Sequence, residues 1–212
     1  MAAHSLPEKI RDLRNIGYEV LPIREELRNN LMTKIRNDEP VFPGIVGFEE
    51  TVLPQVENAI LAGQDIILLG ERGQAKSRLV RSLVNLLDES VPIIAGCEIN
   101  DNPLNPVCKS CRDKIADSGD ETALEWISRE RRYSEKLATP DISIADLIGE
   151  IDPIKVAEGL HLSDELAIHY GLVPRTNRGI FSINELPDLA ERIQVGLFNL
   201  MEERDVQIKG YR

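Results

Sequence analysis

Apolar residues recur at every fourth position near the N-terminus, a spacing that places them on one face of a helix. They are Ile23, Leu27, Leu31 and Ile35 in LPIREELRNNLMTKIRND. Pro22 suits the first turn of such a helix, and the following EPVFPG interrupts the pattern. Residues 1–38 are therefore predicted to form a helical appendage, and residues 39–212 a core.

Two further helical stripes flank a short apolar run. The stripes contain Val52, Val56 and Ile60, followed by the cap Gly63, and then Leu79, Leu83, Leu86 and Leu87. Between them DIILLG, residues 65–70, is an unbroken apolar run, typical of a strand buried on both faces of a parallel sheet. VPIIAG (91–96) and RGIFSINE (178–185) predict two more strands. Because strands alternate with helices and crossovers, the pattern predicts an α/β fold.

A long insertion, residues 97–178, separates the second and third predicted strands. CEINDNPLNPVCKSCRDK is rich in proline and asparagine and predicts a loop. ETALEWISRERRYSEKLA predicts an exposed helix that carries the single tryptophan, Trp126. Its basic residues Arg129, Arg131 and Arg132 alternate with Glu130 and Glu135, which favours a solvated helix face over a nucleic-acid patch. SIADLIGEIDP begins with Ser143 and Asp146 three residues apart, a helix-capping signal.

Composition narrows the classes of partner. Hydrophobic residues make up 42% of the 212 residues, enough for a substantial core. The net charge of -11 disfavours nonspecific binding to DNA or to anionic membranes. No apolar run approaches the roughly 20 residues of a membrane span, and the N-terminus lacks a signal-peptide pattern, so we expect a cytoplasmic protein.

The three cysteines form a separate candidate site. An odd number argues against a disulfide framework. Cys108 and Cys111 form C-x-x-C, and Cys97 lies eleven residues before the first of them. A closed zinc site needs four ligands, and the next candidates, His161 and His169, are distant in the sequence. Unligated thiols in a loop are therefore expected, with a metal-binding module as the alternative.

GERGQAKS, residues 70–77, nearly matches the phosphate-loop pattern G-x-x-x-x-G-K-[S/T], but Ala75 replaces the second glycine. Such a loop between a buried strand and a helix directs backbone N–H groups and the helix dipole at phosphate oxygens. Lys76 would reach the β- and γ-phosphates, and the Ser77 hydroxyl would bind Mg²⁺. Because Ala75 directly precedes the helix, we expect a negative φ there, which accommodates its methyl group.

The predicted loop contacts to nucleotide are Gly70, Glu71, Arg72, Gly73, Gln74, Ala75, Lys76, Ser77 and Arg78. The alternative is a strand-to-helix turn with a chance Lys-Ser pair.

A nucleoside triphosphatase of this type also needs an acidic pair at the end of a neighbouring strand. GIFSINEL ends its apolar run at Asn184 and Glu185. Glu185 is the candidate general base, so the predicted catalytic residues are Glu185 and Lys76. Asn184 occupies the position where aspartate is usual. It could contact Mg²⁺ through a bound water, but it carries no negative charge. Ser77 is the other predicted Mg²⁺ ligand. Alternatively, the pair merely ends a strand.

Together these segments resemble the AAA+ ATPases of the magnesium-chelatase I-subunit and MoxR type. FPGIVGFEE resembles the segment that contacts adenine, which implies Val46 and Gly47 in the nucleotide site. GERGQAKS is similar to the MoxR-type loop, where alanine before the lysine recurs. LIGEIDPIKVAEGLHL and HYGLVPRTNRGIFSINELPDL resemble the insertion in helix 2, whose β-hairpin ends in a Gly-Leu-x-x-Arg-x-x-Arg-Gly run. The matching positions are Gly171, Leu172, Arg175, Arg178 and Gly179.

The resemblance implies a three-layer P-loop NTPase sandwich with a parallel sheet, and ATP and Mg²⁺ as cofactors. It also implies a homo-oligomeric, hexameric ring in which ATP turnover remodels a partner. Chelatase-type members insert Mg²⁺ into a porphyrin with other subunits, and MoxR-type members work with partners that carry a von Willebrand A domain. A membrane partner is not implied, and a nucleic acid is not expected.

LFNLMEERDVQIKGYR resembles the helix and the start of the hairpin after the acidic strand. The family's sensor-1 strand, arginine finger and lid would come later, so we expect this sequence to be the N-terminal part of a longer protein. We expect these 212 residues alone to hydrolyse ATP poorly, because they lack the arginine finger. Because Asn184 replaces aspartate, a nucleotide-sensing scaffold with little or no hydrolysis is the alternative function.

Overall fold

The computed structural model describes residues 6–71, 73–203, 205, 207 and 208, which form a mixed α/β fold. The helices are α1 (Ile10–Asn15), α2 (Ile23–Arg36), α3 (Val52–Leu61), α4 (Lys76–Ser82), α5 (Lys109–Ser118), α6 (Ile144–Leu147), α7 (Pro153–Ala157), α8 (Leu172–Arg175) and α9 (Glu191–Glu203). The strands are β1 (Ser90–Ile94), β2 (Leu124–Ser128), β3 (Tyr133–Leu137), β4 (Gly149–Ile151), β5 (Ile168–Tyr170) and β6 (Ile180–Asn184). In this described part, no helix has the length and apolar character needed to cross a membrane.

The strands pair two by two. β3 and β6 run parallel, with Tyr133 opposite Ile180 and Leu137 opposite Asn184. β1 pairs antiparallel with β2, and β4 pairs antiparallel with β5. The predicted parallel sheet and the predicted hairpin of the insertion are thus both present, and β5 ends directly before Gly171.

The predicted strand at residues 65–70 differs from expectation. Residues 64–71 form no strand in the described part of the chain. Ile66 and Leu68 pack against the core, whereas Ile67 is 65% exposed and Leu69 is 90% exposed. The prediction of burial on both faces is therefore wrong for this structure, because no layer of described residues covers the second face.

The insertion contains more regular structure than predicted. The cysteine segment is not all loop, because α5 begins at Lys109 and the Cys108 side chain caps it. The segment predicted as an exposed helix forms β2 and β3, so that prediction is wrong. Pairing with β1 places Ile127 opposite Val91 and buries both, and this tertiary contact outweighs the helix preference of the neighbouring charged residues. β1 was predicted as a strand of the parallel sheet, but β3 lies beside β6 instead.

The N-terminal helices share their buried surface with the rest of the chain. Leu31 of α2 belongs to a core cluster that also contains Phe42, Val56 and Leu79. In α1, the backbone N–H of Ile10 donates to the carbonyl of Thr122, 3.2 Å away. A domain boundary at residue 38 stays a prediction.

One arginine of the predicted basic face is buried. Arg132 is 1% exposed, and its guanidinium donates to both carboxylate oxygens of Glu26 at 2.7 and 2.6 Å. Its Nε donates to the carbonyl of Arg178 at 2.8 Å. Arg129 and Arg131 form ion pairs with nearby glutamates nearer the surface, so the prediction of a solvated position is wrong only for Arg132. Its burial depends on a partner about a hundred residues away, which local patterning does not reveal.

Candidate functional site: a phosphate-binding loop

The backbone of the loop turns sharply before α4. Gly73 has a φ of 84°, a conformation that glycine adopts without steric cost. Ala75 precedes Lys76 with φ 55° and ψ 15°. The expected negative φ at Ala75 is therefore wrong: the turn into α4 requires the left-handed conformation, which costs a non-glycine residue about 1–2 kcal/mol. The surrounding loop and α4 hold this strain in place.

The Lys76 ammonium lies against the start of the same loop. Its Nζ donates to the carbonyl oxygen of Gly70 at 2.7 Å and to that of Glu71 at 2.6 Å. An ammonium has three donors, so these two bonds hold Lys76 at the loop while leaving one N–H for an anion. The positive charge that a phosphate loop needs is thus placed over the loop backbone.

The other predicted loop contacts lie before and after Lys76 in the sequence, and most of them are exposed. Glu71 and Gln74 are exposed in the loop, and Ser77 and Arg78 are exposed in the first turn of α4. α4 continues directly into a 3₁₀ turn at Leu83–Leu86, so the helical segment behind the loop is longer than α4 alone. Arg72 was predicted as a nucleotide contact, and it lies outside the described residues.

A partly open cleft lies beside the loop. Its empty volume is about 380 Å³, including the part open to solvent. Ile45, Phe48 and Val52 line it from one side, and it extends to Ala75 and Lys76. Such a mainly apolar wall next to a cationic loop suits a flat aromatic group that carries an anionic tail.

The predicted adenine contacts, Val46 and Gly47, lie between two residues of this wall in the sequence. Val46 is 80% exposed, while Ile45 and Phe48 on either side of the pair line the cleft. Gly47 has a φ of 87°, and its N–H donates to the carboxylate of Glu49 at 2.8 Å.

A polar chain connects α4 to the end of β6. Arg81 of α4 donates to both oxygens of Glu135 on β3, from Nε at 2.7 Å and from Nη2 at 3.0 Å. The Asn184 amide Nδ2 also donates to Glu135, and so does the Tyr133 hydroxyl at 3.0 Å. The pKa of Glu135 is lowered, chiefly because Arg81 donates hydrogen bonds to its carboxylate.

Asn184 and Glu185 occupy different environments. Asn184 is half-buried, and because its Nδ2 is directed to Glu135, its Oδ1 is the atom that could accept a hydrogen bond from a metal-bound water. Glu185 is exposed and directly follows β6 with a φ of 56°. A left-handed conformation in a residue other than glycine is costly and concentrates at functional sites.

Glu135 and Arg81 were not predicted as site residues. Glu135 lay in a segment assigned to a helix, so its position beside β6 could not be inferred. Reading YSEKL as a strand parallel to GIFSIN would have placed Glu135 near Asn184, because β3 and β6 pair from Tyr133 to Leu137.

No family model matches the chain, but individual relatives do. It is 31% identical over 184 residues to the magnesium-chelatase subunit ChlI-2, chloroplastic, of Arabidopsis thaliana, covering 81% of this chain and 39% of that protein. It is 33% identical over 185 residues to the chloroplastic ChlI subunit of Nicotiana tabacum, covering 82% and 39% respectively. A ChlI homolog of Methanocaldococcus jannaschii is 29% identical over 180 residues, covering 79% and 45%.

A solved structure has a similar fold. It is the complex between subunits BchI and BchD of magnesium chelatase, based on a cryo-EM reconstruction, with a TM-score of 0.50 and 24% identity. The match covers 77% of this chain and 48% of that chain. The chain spans about two fifths of the length of the curated relatives it matches.

Proposed function

Because this chain belongs to the AAA+ family of the magnesium-chelatase I-subunit type, we propose that it binds ATP with Mg²⁺ and couples ATP hydrolysis to the remodelling of a partner. The observation that carries the proposal is the loop before α4, where Lys76 Nζ bonds to the carbonyls of Gly70 and Glu71. A turn with a chance Lys-Ser pair, the alternative interpretation, does not require a lysine ammonium to be held over its own backbone.

Within this proposal, the loop residues bind the triphosphate. Backbone N–H groups of the loop and the third N–H of Lys76 would contact phosphate oxygens, and Ser77 would bind Mg²⁺. The cleft lined by Ile45 and Phe48 would take the adenine, beside Val46 and Gly47. Arg78 is exposed at the same helix start, so it adds positive charge for the phosphates.

The end of β6 would supply the rest of the site. Asn184 would contact Mg²⁺ through a water, and Glu185 would act as general base. The carboxylate of Glu135 is already paired with Arg81, so it adds little free negative charge for a cation. Magnesium would then depend mainly on Ser77 and on the phosphates of ATP.

The proposal includes assembly. The relatives are named as chelatase subunits, and the solved structure is a complex of two different subunits. We propose that the protein containing this chain forms a homo-oligomeric, hexameric ring. Its partner would be a chelatase-type subunit or a protein with a von Willebrand A domain.

A nucleotide-sensing scaffold is the second candidate function. It is favoured by the Asn184 amide, which lacks the usual carboxylate and is hydrogen-bonded to Glu135. In this alternative, partners would recognise the nucleotide-bound state without productive hydrolysis.

Turnover measurements distinguish the two functions. ATP hydrolysis and ATP binding would be measured in the full-length protein that contains this chain, in the Glu185→Gln variant, and in Glu191→Gln as a control. Glu191 is an exposed glutamate at the start of α9, so the control makes the same chemical change away from the site. The motor predicts turnover that only Glu185→Gln abolishes, with binding retained. Tight binding without turnover in all three would establish the scaffold, and absence of binding would refute both.

A further inference from the structure

Three cysteines that are separated in sequence converge on one buried point. The sulfurs of Cys97, Cys108 and Cys111 and a carboxylate oxygen of Asp101 all lie within 4.8 Å of one another. Cys108, Cys111 and Asp101 are buried, and Cys97 is partly buried. We propose that these four side chains bind one structural Zn²⁺ ion. The sequence predicts unligated thiols in a loop, whereas in the structure the three sulfurs lie around a buried carboxylate.

The spacing fits a single tetrahedral ion. With Zn–S bonds of about 2.3 Å, tetrahedral geometry places sulfur ligands about 3.8 Å apart. A maximum separation of 4.8 Å therefore needs only a small contraction around the ion. An iron–sulfur cluster places several atoms between its cysteines and needs them farther apart. Thiolate sulfur and carboxylate oxygen are both ligands that zinc accepts, and three sulfurs with one oxygen supply the four ligands of a closed tetrahedral site.

The backbone supports negative charge on two of the sulfurs. The N–H of Asp101 donates to the sulfur of Cys97 at 3.3 Å, and the N–H of Cys111 donates to the sulfur of Cys108 at 3.4 Å. Cys108 is the N-cap of the ten-residue helix α5, and Cys111 lies in its first turn. Thiolates are stabilised at such a helix start, and hydrogen bonds of this kind orient metal ligands.

Asp101 organises the loop between the cysteines. Its carboxylate accepts hydrogen bonds from the N–H groups of Asn102, Val107 and Cys108, at 2.9 to 3.2 Å. These bonds close the loop and hold the carboxylate near the three sulfurs. As the fourth ligand, Asp101 gives the site the same formal charge as a four-cysteine zinc site, and the surrounding N–H donors offset that charge.

The candidate histidines are not needed. His161 lies elsewhere, where its ring contacts Ser163, and His169 is exposed on β5 opposite Glu150. Neither belongs to the cysteine cluster. A redox-active Cys108–Cys111 dithiol would not account for the third sulfur, that of Cys97, in the same cluster.

The cluster adjoins the segment that leads into β6. Asn100, between Cys97 and Asp101, donates to the carbonyl of Arg175 at 2.9 Å. Arg178 donates to the carbonyl of Pro92, in the middle of β1, at 2.8 Å. A bound zinc ion would therefore fix the loop against which residues 171–179 are positioned. The zinc site does not depend on the proposed ATPase function.

Metal analysis of the purified chain tests the proposal. The protein would be expressed and purified without chelator, and its zinc and iron contents measured by mass spectrometry. We expect about one zinc ion per chain in the wild type, and less than about a tenth of that in Cys97→Ser, Cys108→Ser and Cys111→Ser. Ser110→Ala, between two ligands, and His161→Ala are the controls and should keep the metal.

Cobalt binding by the wild type covers the case in which the cysteine variants fail to fold. The chain would be stripped of metal under reducing conditions and titrated with Co²⁺. We expect one equivalent to produce a thiolate charge-transfer band and the intense visible bands of tetrahedral cobalt, and Zn²⁺ to remove them. The proposal is overturned by a folded wild type without zinc or tetrahedral cobalt bands. Stoichiometric iron, or a Cys108–Cys111 disulfide in the purified chain, would overturn it as well.

Discussion

Removal of the buried arginine should cost the protein a large part of its stability. In Arg132→Met the long apolar stem is kept while the guanidinium is lost. Three hydrogen bonds disappear, two to Glu26 and one to the carbonyl of Arg178. Glu26 is 4% exposed and would keep the backbone N–H of Asp88 as a hydrogen-bond partner, at 2.8 Å.

The expected loss follows from the charge left behind. Removing one partner of a buried ion pair typically costs about 3–5 kcal/mol, because the other charge stays buried and uncompensated. Total stabilities of domains are about 5–15 kcal/mol, so the variant should be severely destabilised. Arg131→Met is the matched control. Arg131 pairs with Glu125 at the surface, and such pairs contribute less than about 1 kcal/mol.

Urea denaturation followed by fluorescence would measure both variants. Trp126 is the single tryptophan, and its indole N–H donates to the carbonyl of Pro7 at 2.7 Å. Its ring also contacts Tyr18 edge-on, with ring centroids 6.0 Å apart. Its emission therefore reports the packing of β2 against the N-terminal residues.

A double variant separates the lost interaction from the stranded charge. Glu26→Gln combined with Arg132→Met removes both charges, so it should recover a substantial part of the stability that Arg132→Met loses. Equal free energies of unfolding for Arg132→Met and Arg131→Met would refute the buried pair.

Three further predictions concern the loop and the end of β6. Ala75→Gly should raise the free energy of unfolding by up to about 1 kcal/mol, measured by urea denaturation. The variant relieves about 1–2 kcal/mol of left-handed strain, which exceeds the cost of about 0.4–1 kcal/mol that glycine brings in the unfolded chain. A destabilised variant would contradict the positive φ of Ala75. Asn184→Asp should lower the free energy of unfolding at neutral pH, because it replaces the hydrogen-bond donor to Glu135 with a second carboxylate. The lost stability should return on acidification or with added Mg²⁺, and an unchanged free energy of unfolding at neutral pH would contradict the prediction. The pKa of Glu135 is lowered in the folded state, so its stabilising effect is present above about pH 4.3 and is lost as the pH falls through its folded pKa. The difference in the free energy of unfolding between wild type and Glu135→Gln should therefore shrink between neutral pH and about pH 3. A constant difference would contradict the pairing of Glu135 with Arg81.

Features determined by short segments were predictable from the sequence. The α2 and α3 stripes, the capping box at Ser143 and Asp146, and the apolar run of β6 all depend on residues that are neighbours along the chain. The candidate phosphate loop is recognisable from its glycines and its Lys-Ser pair, which are also neighbours in the sequence. Its surroundings required the fold, since the cleft wall comes from Ile45 and Phe48.

Features determined by distant pairing were not predictable. Charged residues around Trp126 favour a helix locally, yet pairing with β1 makes that segment a strand. Arg132 is buried only because Glu26 of α2 meets it. The convergence of Cys97 with Cys108 and Cys111 depends on the loop that Asp101 closes, and spacing alone does not reveal that loop.

Calorimetric titration with Mg·ATP tests the central claim, that residues 70–78 bind a triphosphate. The folded chain should release or absorb heat with a stoichiometry of about one nucleotide per chain. Lys76→Ala should weaken binding at least about tenfold, because it removes the ammonium held over the loop. Lys34→Ala removes the same charge from α2 and should bind like the wild type. No heat with a well-folded wild type, or equal affinities of wild type and Lys76→Ala, would contradict the claim.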